Sequence, residues 1–474
     1  MWNRIIEWIR SAWNKMFTTN DVKKALNIDV SISPQMQSAL QLWSLMYSNS
    51  ASWINNEVKS MGLPAAISAE IARMVTVEMT AEVTGSPRAE FLDSQMTEIV
   101  RLLKNQKVEY GLAKGGLILK PYPKGDTIAT DFVTADCFYP VNFDSNGNIT
   151  AIVFADVRKI GQYWYTRLES HNTENRICTI RNMAFRSSTE NTLGSPVSLT
   201  DVTDWADLAP EATIANVDAP LYGYFRFPSP NNIDPLSPLG VSCFSHAQDP
   251  NGNVALIKQA DEIYSNLVWE FESGKRAILV SPDAFEKKDG KFVIPDKRLY
   301  RTLDLSSIEL GKAGFFHDWT PEFREASIKS GLDAVLKRIE FVCRLAYGTI
   351  SDPQTVDKTA TEIIASQQRS YVTVTSTQQA LQTALEQWLY AVDVWATLGN
   401  IAPQGTYAAS YQFDDSVITD KDSQFTKDMQ AVTGGMMSKW MFLVRNFGLD
   451  ETVAKQWIAE AKSEQPEPIF PSGV

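Results

Sequence analysis

Two long stretches of the chain carry an apolar residue at every third or fourth position, the spacing of one face of an α-helix. The first stretch contains Ile257, Ala260, Tyr264, Leu267 and Phe271, and the second contains Ile328, Leu332, Val335, Ile339, Val342 and Ala346. Each stretch predicts an amphipathic helix. At about 1.5 Å per residue, a helix from Glu322 to Tyr347 would extend roughly 39 Å.

The segment between these two helices has the pattern of short strands. It contains the runs AILV and KFVI, interrupted by Pro282, Gly290 and Pro295, which are residues typical of turns. After the second helix, the polar stretch GTISDPQTVD leads to Lys358 and a third helical pattern that ends near Gly399. The order of elements is therefore helix, β-rich insert, helix, polar loop and long helix.

The third helical pattern contains a conflict. Tyr371 to Thr377 reads YVTVTST, which would suit a strand if it stood alone. Residues with helical spacing cross this stretch and continue beyond it: Val374, Gln378, Leu381, Leu385, Trp388, Val392 and Trp395. We therefore predict one helix with a weak or kinked middle.

The rest of the chain predicts a mixed domain and a small helical end. Helical patterns occupy Ser33 to Lys107, including one from Ser68 to Gly85. Val108 to Phe227 alternates like antiparallel sheet, with a hairpin signal at Asn146 and Gly147. A proline-rich linker, Pro228 to Asp249, precedes the first long helix. TYAASYQFD predicts a returning strand, and two or three short helices follow it.

The first residues, MWNRIIEWIRSAWNKMF, predict a basic amphipathic helix with three tryptophans. Such a helix could lie on a membrane surface, or pack on its own protein, a neighbouring subunit or a capsid. No secretory signal or membrane-spanning run is visible in the sequence, so we expect a soluble protein that is made in the cytoplasm.

Several segments in this order resemble the portal proteins of tailed bacteriophages, in the branch common among long-tailed phages. The polar loop followed by KTATE (Lys358 to Glu362) carries most of the resemblance. YFRFPSPNNIDPLSPLGVSCFSHA is similar to the passage from wing to stem, YWYTRLESH with IRNMAF to a pair of wing strands, LWSLMY with Trp53 to the entry of the wing, and GGMMSKWMFLVRNFGLDETVA to the crown. The resemblance spans nearly the whole chain.

The resemblance implies an α+β portal-type fold with an α/β wing, a two-helix stem, a β-containing clip, a tunnel loop, a long kinked helix and a helical crown. We expect these boundaries: N-terminal arm 1–32, wing 33–249, first stem helix 250–273, clip 274–319, second stem helix 320–348, tunnel loop 349–358, long helix 359–399, returning strand of the wing 400–418, crown 419–462 and flexible tail 463–474.

The resemblance also implies a function. Portal proteins form an oligomeric ring, expected here to have about twelve subunits, at one capsid vertex. Double-stranded DNA passes through the ring non-specifically during packaging and ejection. The expected partners are the terminase large subunit, a head-tail adaptor, and the major capsid and scaffold proteins. The protein would be assembled in the host cytoplasm and located in the virion, without stable insertion in a membrane.

Three sets of residues are candidates for this function. The tunnel-loop candidates for contact with DNA are Asp352, Gln354, Thr355, Asp357 and Lys358. The clip candidates for docking are Lys287, Lys288, Lys291, Lys297, Arg298 and Arg301, which would otherwise form only a solvated basic face. The candidates for stem packing are Ile328, Leu332, Val335, Ile339 and Val342.

The charge balance constrains how DNA could be held. The 474 residues include 44 Lys and Arg and 56 Asp and Glu, a formal net charge of −12. A protein that clamps DNA through many phosphate contacts would be basic. An acidic or mixed wall suits a channel in which a duplex slides, although an acidic balance is also ordinary for cytosolic proteins.

The sequence contains no recognisable catalytic set. It lacks a phosphate-binding GxxxxGK[ST] loop, GxSxG, HExxH and GxGxxG. We expect His171, His246 and His317 to be structural, and Cys137, Cys178, Cys243 and Cys343, which form no CxxC pair, to be reduced and mostly buried. Asp144, Asn146 and Asn148, and likewise Asp249, Asn251 and Asn253, resemble the start of a calcium loop but fit turns better.

We therefore expect a structural protein that is not an enzyme and has no cofactor or metal. Two alternatives remain open at this point. One is a minor capsid or scaffold-binding adaptor protein without a DNA tunnel, which the two helices around a β-rich insert disfavour. The other is a membrane-associated enzyme anchored by its N-terminal helix, which the missing catalytic residues disfavour.

Overall fold

Helices and mostly antiparallel strands build the molecule, which confirms the predicted α+β class. A computed structural model describes residues 17–190, 192–275, 277–280, 287–288, 291–292, 300–302, 316–319, 322–352, 360–413 and 421–463. Side chains are described over 17–190, 192–275, 322–352, 369–413 and 425–461. The chain divides into two units, Met1–Gln412 and Phe413–Val474. The predicted N-terminal helix and tail lie outside the described residues, apart from Phe17 and Ser463.

The α-helices of the described residues are α1 (Thr19–Leu26), α2 (Pro34–Tyr47), α3 (Leu63–Thr76), α4 (Pro87–Leu102), α5 (Val108–Lys114), α6 (Leu256–Ser273), α7 (Glu325–Val342), α8 (Ala360–Leu398), α9 (Lys421–Thr433), α10 (Lys439–Phe447) and α11 (Glu451–Ser463). A short π-helical segment, Leu103–Lys107, joins α4 to α5, and two 3₁₀ turns occupy Leu199–Asp201 and Thr203–Trp205. Among the described residues, no helix is both long enough and apolar enough to span a membrane.

The strands are β1 (Met79–Gly85), β2 (Gly116–Lys124), β3 (Thr127–Thr134), β4 (Phe138–Phe143), β5 (Ile149–Ile160), β6 (Tyr163–Glu174), β7 (Ile177–Ser187), β8 (Ser195–Val197), β9 (Glu211–Ala215), β10 (Gly223–Arg226), β11 (Ala277–Val280), β12 (Lys287–Lys288), β13 (Lys291–Phe292), β14 (Tyr300–Thr302), β15 (Phe316–Trp319) and β16 (Tyr407–Phe413).

These strands form a large wing sheet and several small sheets. The large sheet has the order β4-β5-β6-β7-β8, with β9 also paired to β7. The smaller sheets are β10-β2-β3, β1-β16, β14-β11-β15 and β12-β13. The wing strand pair suggested by YWYTRLESH and IRNMAF is the antiparallel pair of β6 and β7. The predicted hairpin at Asn146 and Gly147 joins β4 to β5, and the Asp144 carboxylate accepts hydrogen bonds from the backbone N–H groups of Asn146 and Asn148.

Three element boundaries differ from the sequence prediction. The helix predicted from Ser68 to Gly85 begins earlier, at Leu63, and ends at Thr76. The residues that follow form strand β1, with Met79 and Val83 buried on one face. Residues from Val108 were predicted as sheet, but α5 comes first because Val108 and Leu112 are buried at helical spacing.

Both stem helices are shorter than predicted. The first begins at Leu256 instead of residue 250, because the Asp249 carboxylate accepts hydrogen bonds from Asn251 N and Val254 N and closes a turn. The second spans the 18 residues Glu325–Val342 instead of 320–348, a length of roughly 27 Å. It ends where Arg344 adopts a left-handed conformation with φ of 60°.

Helix α8 runs unbroken through the stretch that resembles a strand. Hydroxyl groups there bond the carbonyl four residues back: Thr373 bonds Arg369 at 3.1 Å, and Thr377 bonds Thr373 at 2.6 Å. Such bonds satisfy side chains that would otherwise compete with the helix. The prediction was one helix with a weak or kinked middle, and the single helix is confirmed.

The C-terminal half of α8 lies in the centre of the wing. Its side chains Leu381, Leu385, Trp388 and Val392 are fully buried against β2, β10, α3 and α4. The Trp388 indole Nε1 donates to Thr130 Oγ1 at 3.0 Å. At Gly223 a Cβ atom would lie 2.0 Å from the carbonyl oxygen of Ala384, so only glycine lets the strand approach the helix this closely.

A buried arginine fastens the end of α8 to α4. The side chain of Arg88 is 1% exposed and donates to Asp393 Oδ1 at 2.7 Å and to the Asp393 carbonyl at 2.6 Å. It also donates to the Ala402 carbonyl at 2.9 Å and to the Thr397 hydroxyl. One guanidinium therefore joins α4 to the end of α8 and to the loop that follows it, which lie more than 300 residues away in the sequence.

Two further buried ion pairs lie in the wing. Lys114 and Asp136 are both 2% exposed, 2.5 Å apart, and Ser44 donates to the same carboxylate. Lys120 lies 2.7 Å from Glu169, whose other oxygen contacts His171 Nε2 at 2.7 Å. Although Glu169 is buried, Lys120, His171 and Arg167 hold its pKa well below the ordinary value. His171 thus has the structural role that the sequence predicted.

The thiols match the expectation for reduced cysteines. Cys178, Cys243 and Cys343 are buried, Cys137 is partly buried, and none of the four forms a disulfide bond within the described part of the chain. Burial raises the pKa of Cys137 and of Cys243 to about 12. These thiols are therefore protonated and unreactive near neutral pH.

The described part of the second unit contains the helices α9, α10 and α11, in agreement with the two or three short helices predicted there. Phe425, Phe442 and Phe447 contact one another, with ring centroids 5.2 to 6.4 Å apart. The buried Asp428 accepts from Asn446 Nδ2 at 3.1 Å and lies 3.4 Å from Arg445. These contacts hold α9 against α10.

Replacing Arg88 by Ala should lower the free energy of unfolding of the first unit by about 3 kcal/mol, because Asp393 and two carbonyls lose a buried donor. Urea denaturation measures this change. The control is Arg73→Ala, which breaks the more exposed pair with Glu70 and should cost less than about 0.5 kcal/mol. Equal losses in the two variants would contradict a special role for Arg88.

Candidate functional site: the stem hairpin and its junction with the long helix

Helices α6 and α7 pack against each other as the predicted two-helix stem. The end of α6 meets the start of α7, since Glu270 contacts Arg324, so the helices are antiparallel. On α6, the predicted stripe is buried at Ile257 and Ala260, partly buried at Tyr264 and Leu267, and 44% exposed at Phe271. The apolar face is therefore covered near the wing and open towards the insert.

The proposed packing residues of α7 divide into two groups. Leu332 and Ile339 are buried, whereas Ile328, Val335 and Val342 are only partly buried. Leu336, which was not proposed, is buried as well. The buried face of α7 and of the residue after it contains positions 332, 336, 339 and 343. It is therefore rotated around the helix axis relative to the predicted stripe.

An ion pair and two aromatic rings close the stem at the insert. Arg324 donates to Glu270 from Nη2 at 2.8 Å, and its backbone N–H donates to the same carboxylate at 3.0 Å. These hydrogen bonds lower the pKa of Glu270. The rings of Phe271 and Phe323 lie beside the pair, with centroids 5.6 Å apart.

The basic clip candidates lie partly within described backbone. Lys287 and Lys288 form β12, which pairs antiparallel with Lys291 on β13, so these three lie on one short hairpin. Arg301 lies on β14 and pairs with Leu279 of β11. Lys297 and Arg298 are outside the described residues. The insert thus contains strands, including one from the predicted run AILV, at Ala277–Val280.

At the wing end, α7 passes into a turn that a buried glutamate organises. Glu340 is 0% exposed. Its Oε1 accepts hydrogen bonds from the backbone N–H groups of Gly348 at 3.0 Å, Ile350 at 2.7 Å and Ser351 at 2.9 Å. Its Oε2 accepts from the Ser351 hydroxyl at 2.8 Å. We refer to residues 343–352 as the junction.

The junction is also bound to the long helix. Ser370 Oγ accepts from Ala346 N at 2.8 Å, and Thr373 Oγ1 donates to the Arg344 carbonyl at 3.3 Å. The guanidinium of Arg369 lies over the rings of Phe341 and Tyr347, at 4.7 and 5.3 Å. The end of the stem therefore has a defined position relative to α8.

Among the tunnel-loop candidates, Asp352 is described and is exposed. Gln354, Thr355, Asp357 and Lys358 lie outside the described residues. A surface groove of about 500 Å³ beside Asp352 is lined by Lys337, Arg338, Phe341 and Tyr347, among others. Lys337 is paired with Asp333 at 2.6 Å.

The contacts of the stem and the junction fix the relative positions of helices and turns. Within the described part of the chain, no group of His, Cys, Asp or Glu side chains is placed to hold a metal ion. His246 is half-buried between the wing and the stem, and burial, together with Arg344, lowers its pKa. The backbone of His317 lies in β15.

Sequence reasoning missed the buried carboxylates of the stem. Glu340 follows Leu332 and Leu336 at intervals of four, so it is a charged residue on the apolar face of α7. Asp261 similarly follows Ile257, is 2% exposed, and accepts from Trp53 Nε1 at 2.9 Å and Met61 N at 2.8 Å. A charged residue at a stripe position was the available signal, because a buried charge must find hydrogen-bond donors.

Comparisons with known proteins give one family. The family model of phage portal proteins, SPP1 Gp6-like, matches residues 103–467. A solved structure, the neck of a native GTA particle computed with C12 symmetry, has 11% sequence identity and a TM-score of 0.39, and the match covers 90% of this chain and 99% of that chain. No curated protein matches this chain.

The contact between Glu270 and Arg324 should be sensitive to acid. Because the folded pKa of Glu270 lies below its ordinary value of 4.5, the contact stabilises the fold above about pH 4.5 and loses this contribution as the pH falls through the folded pKa. Thermal unfolding of the wild type and Glu270→Gln should differ slightly at pH 7 and converge towards pH 3, since Arg324 is largely exposed. A difference that stays constant with pH would contradict this assignment.

Proposed function

The chain belongs to the SPP1 Gp6-like family of phage portal proteins, and we propose that it forms a ring at one capsid vertex through which DNA is packaged and ejected. The observation that carries this proposal is the family match, which spans the wing sheet, both stem helices, the insert, the junction and the long helix. A portal protein is a structural protein. We propose further that this chain has no catalytic activity of its own.

The exposed aromatic side chains of the stem support assembly of identical subunits. Trp269 is 59% exposed, Phe271 44%, Phe323 47% and Phe341 42%. Trp269 and Phe271 lie on α6, Phe341 lies on α7, and Phe323 lies just before the start of α7. Large exposed apolar side chains are costly to leave in water and are common in protein interfaces. In a ring of subunits, each subunit presents one face to one neighbour and a different face to the other neighbour. The adjacent stems would therefore cover these exposed aromatic side chains.

The number of subunits comes from the resemblance to portal proteins. We propose about twelve, which for a chain of 53.0 kDa gives a ring of roughly 640 kDa. Each subunit carries a formal net charge of −12. Such a ring would repel DNA as a whole, so any attractive contact with phosphate must be local and must allow sliding.

We propose that the polar segment after the stem supplies this local contact. Its candidate residues are Asp352, Gln354, Thr355, Asp357 and Lys358. Asp352 is exposed at the end of the junction, which supports a position on an open surface. Lys358 would contribute one positive charge per subunit, enough to guide a duplex but too little to clamp it.

The insert between the stem helices is the proposed docking surface for other proteins. Its basic residues Lys287, Lys288, Lys291, Lys297, Arg298 and Arg301 would contact the terminase large subunit during packaging and a head-tail adaptor afterwards. Major capsid and scaffold proteins would contact the outside of the ring. Assembly would take place in the host cytoplasm, and the ring would remain in the virion.

The first test is the mass of the purified protein. Light scattering should give several hundred kilodaltons, near 640 kDa for about twelve subunits. Trp269→Asp should abolish the ring without unfolding the subunit, because the exposed position tolerates a charge in the monomer but not in a covered interface. The control is Ile160→Asp, which places a charge at a side chain 45% exposed at the end of a wing strand and should leave the mass unchanged.

A monodisperse wild-type monomer at micromolar concentration would contradict ring formation. A Trp269→Asp ring of wild-type mass and stability would show that this face of the stem is not an interface.

The second test separates DNA handling from assembly. Replacing residues 352–356 by a Gly-Ser bridge should leave the ring intact, because loop residues of this polar composition contribute little to a core. Particles with this change should package incompletely or lose DNA, as measured by their DNA content. Lys358→Ala should cause a milder defect that varies with salt. Wild-type DNA content in the shortened variant would rule out a tunnel role for this segment.

A further inference from the structure

Glu340 is an unusual residue to bury. Its carboxylate is fully covered, and among the described residues no Lys or Arg forms an ion pair with it. Removing a carboxylate from water costs several kcal/mol unless strong donors replace the water. Three backbone N–H groups and one hydroxyl take that place, and all four donors belong to residues 348–351.

The four hydrogen bonds to Glu340 fix the conformation of the turn at residues 348–351 and contribute less to the stability of α7 itself. An apolar residue at position 340 would pack in the same stripe at a lower desolvation cost. It would leave the N–H groups of Ile350 and Ser351 without their acceptor in a region that is partly or fully buried, and Gly348 N–H with only the longer bond to Ser351 Oγ at 3.2 Å. A carboxylate offers enough acceptor sites for all four donors at once, and bonds to a charged acceptor are about twice as strong as neutral ones.

The backbone of the junction needs such a constraint. Arg344 has φ of 60° and Gly348 has φ of 90°, so the chain enters the left-handed region twice within five residues. An arginine is disfavoured there relative to glycine. The junction is held by Glu340 on α7 and by Ser370 and Thr373 on α8, so it is fixed from two sides.

We propose that Glu340 is a positioning residue that fixes the path of residues 348–352 and thereby the place in the channel where each subunit presents Asp352. This inference rests on the proposed function, because the position of Asp352 matters only if the ring conducts DNA. Glu340 touches no DNA itself. It acts through the four hydrogen bonds that shape the turn.

The test uses Glu340→Gln in the full chain. Glutamine has nearly the same shape and keeps one acceptor oxygen, but it loses the charge that strengthens the bonds. Amide hydrogen exchange of the wild-type and variant rings should show about tenfold faster exchange at Gly348, Ile350 and Ser351. Ring mass and thermal midpoint should be unchanged, while assembled particles should retain several-fold less DNA.

Two companion variants keep the test decisive. Ser351→Ala removes the hydroxyl bond to Oε2 and the longer bond that Ser351 Oγ accepts from Gly348 N at 3.2 Å, and keeps the three N–H bonds to Oε1. It should produce the same changes to a smaller extent, even if Glu340→Gln assembles poorly. Asp261→Asn is the matched control, since it also neutralises a buried stem carboxylate that accepts from backbone N–H. It should speed exchange at Met61, leave exchange at residues 348–351 unchanged, and leave DNA retention at the wild-type level.

The outcomes separate this inference from the proposed function. Unchanged exchange at residues 348–351 in Glu340→Gln, or faster exchange with wild-type DNA retention, would overturn the positioning role while the ring and its DNA content remain those of a portal. A wild-type protein that forms no ring would instead overturn the proposed function, and this inference with it.

Discussion

The burial of the C-terminal half of α8 against the wing is the contact on which the rest of the structure depends. Trp388 and its apolar neighbours fill the space between two sheet strands and two helices, and Gly223 lets β10 approach the backbone of α8. Fully burying one such side chain is worth about 1.5 to 3 kcal/mol. Because α8 is one continuous helix, the half that lies in the wing is joined directly to the half that meets the junction through Ser370 and Thr373.

The same kind of hydrogen bond occurs at three places in the stem. A carboxylate on a stem helix accepts from the backbone N–H of a segment outside that helix: Asp261 accepts from Met61, Glu270 from Arg324, and Glu340 from three residues of the junction. Each contact joins a helix to a loop or to a helix start where free N–H groups need acceptors. The apolar stripes hold the helices together, and these carboxylates fix the direction in which the chain enters and leaves them.

Much of this architecture could be predicted from the sequence. The helical spacing of apolar residues predicted both stem helices. It also predicted that α8 continues through YVTVTST, and it does so because burial in the wing outweighs local β-propensity. Helix ends were less predictable. Strand β1 was taken for a helix, since its pairing partner β16 lies more than 300 residues away, and α7 ends early because Arg344 takes a conformation usually reserved for glycine. The role of Glu340 depends on four donors that only the folded junction brings together.

The proposed function requires that this chain closes into a ring around a DNA channel. Electron microscopy of the purified wild-type protein, viewed end-on, would show whether it does. We expect a closed ring of about twelve equal subunits with an axial hole wide enough for a DNA duplex. Separate monomers, open filaments or a closed disc without a hole would contradict it.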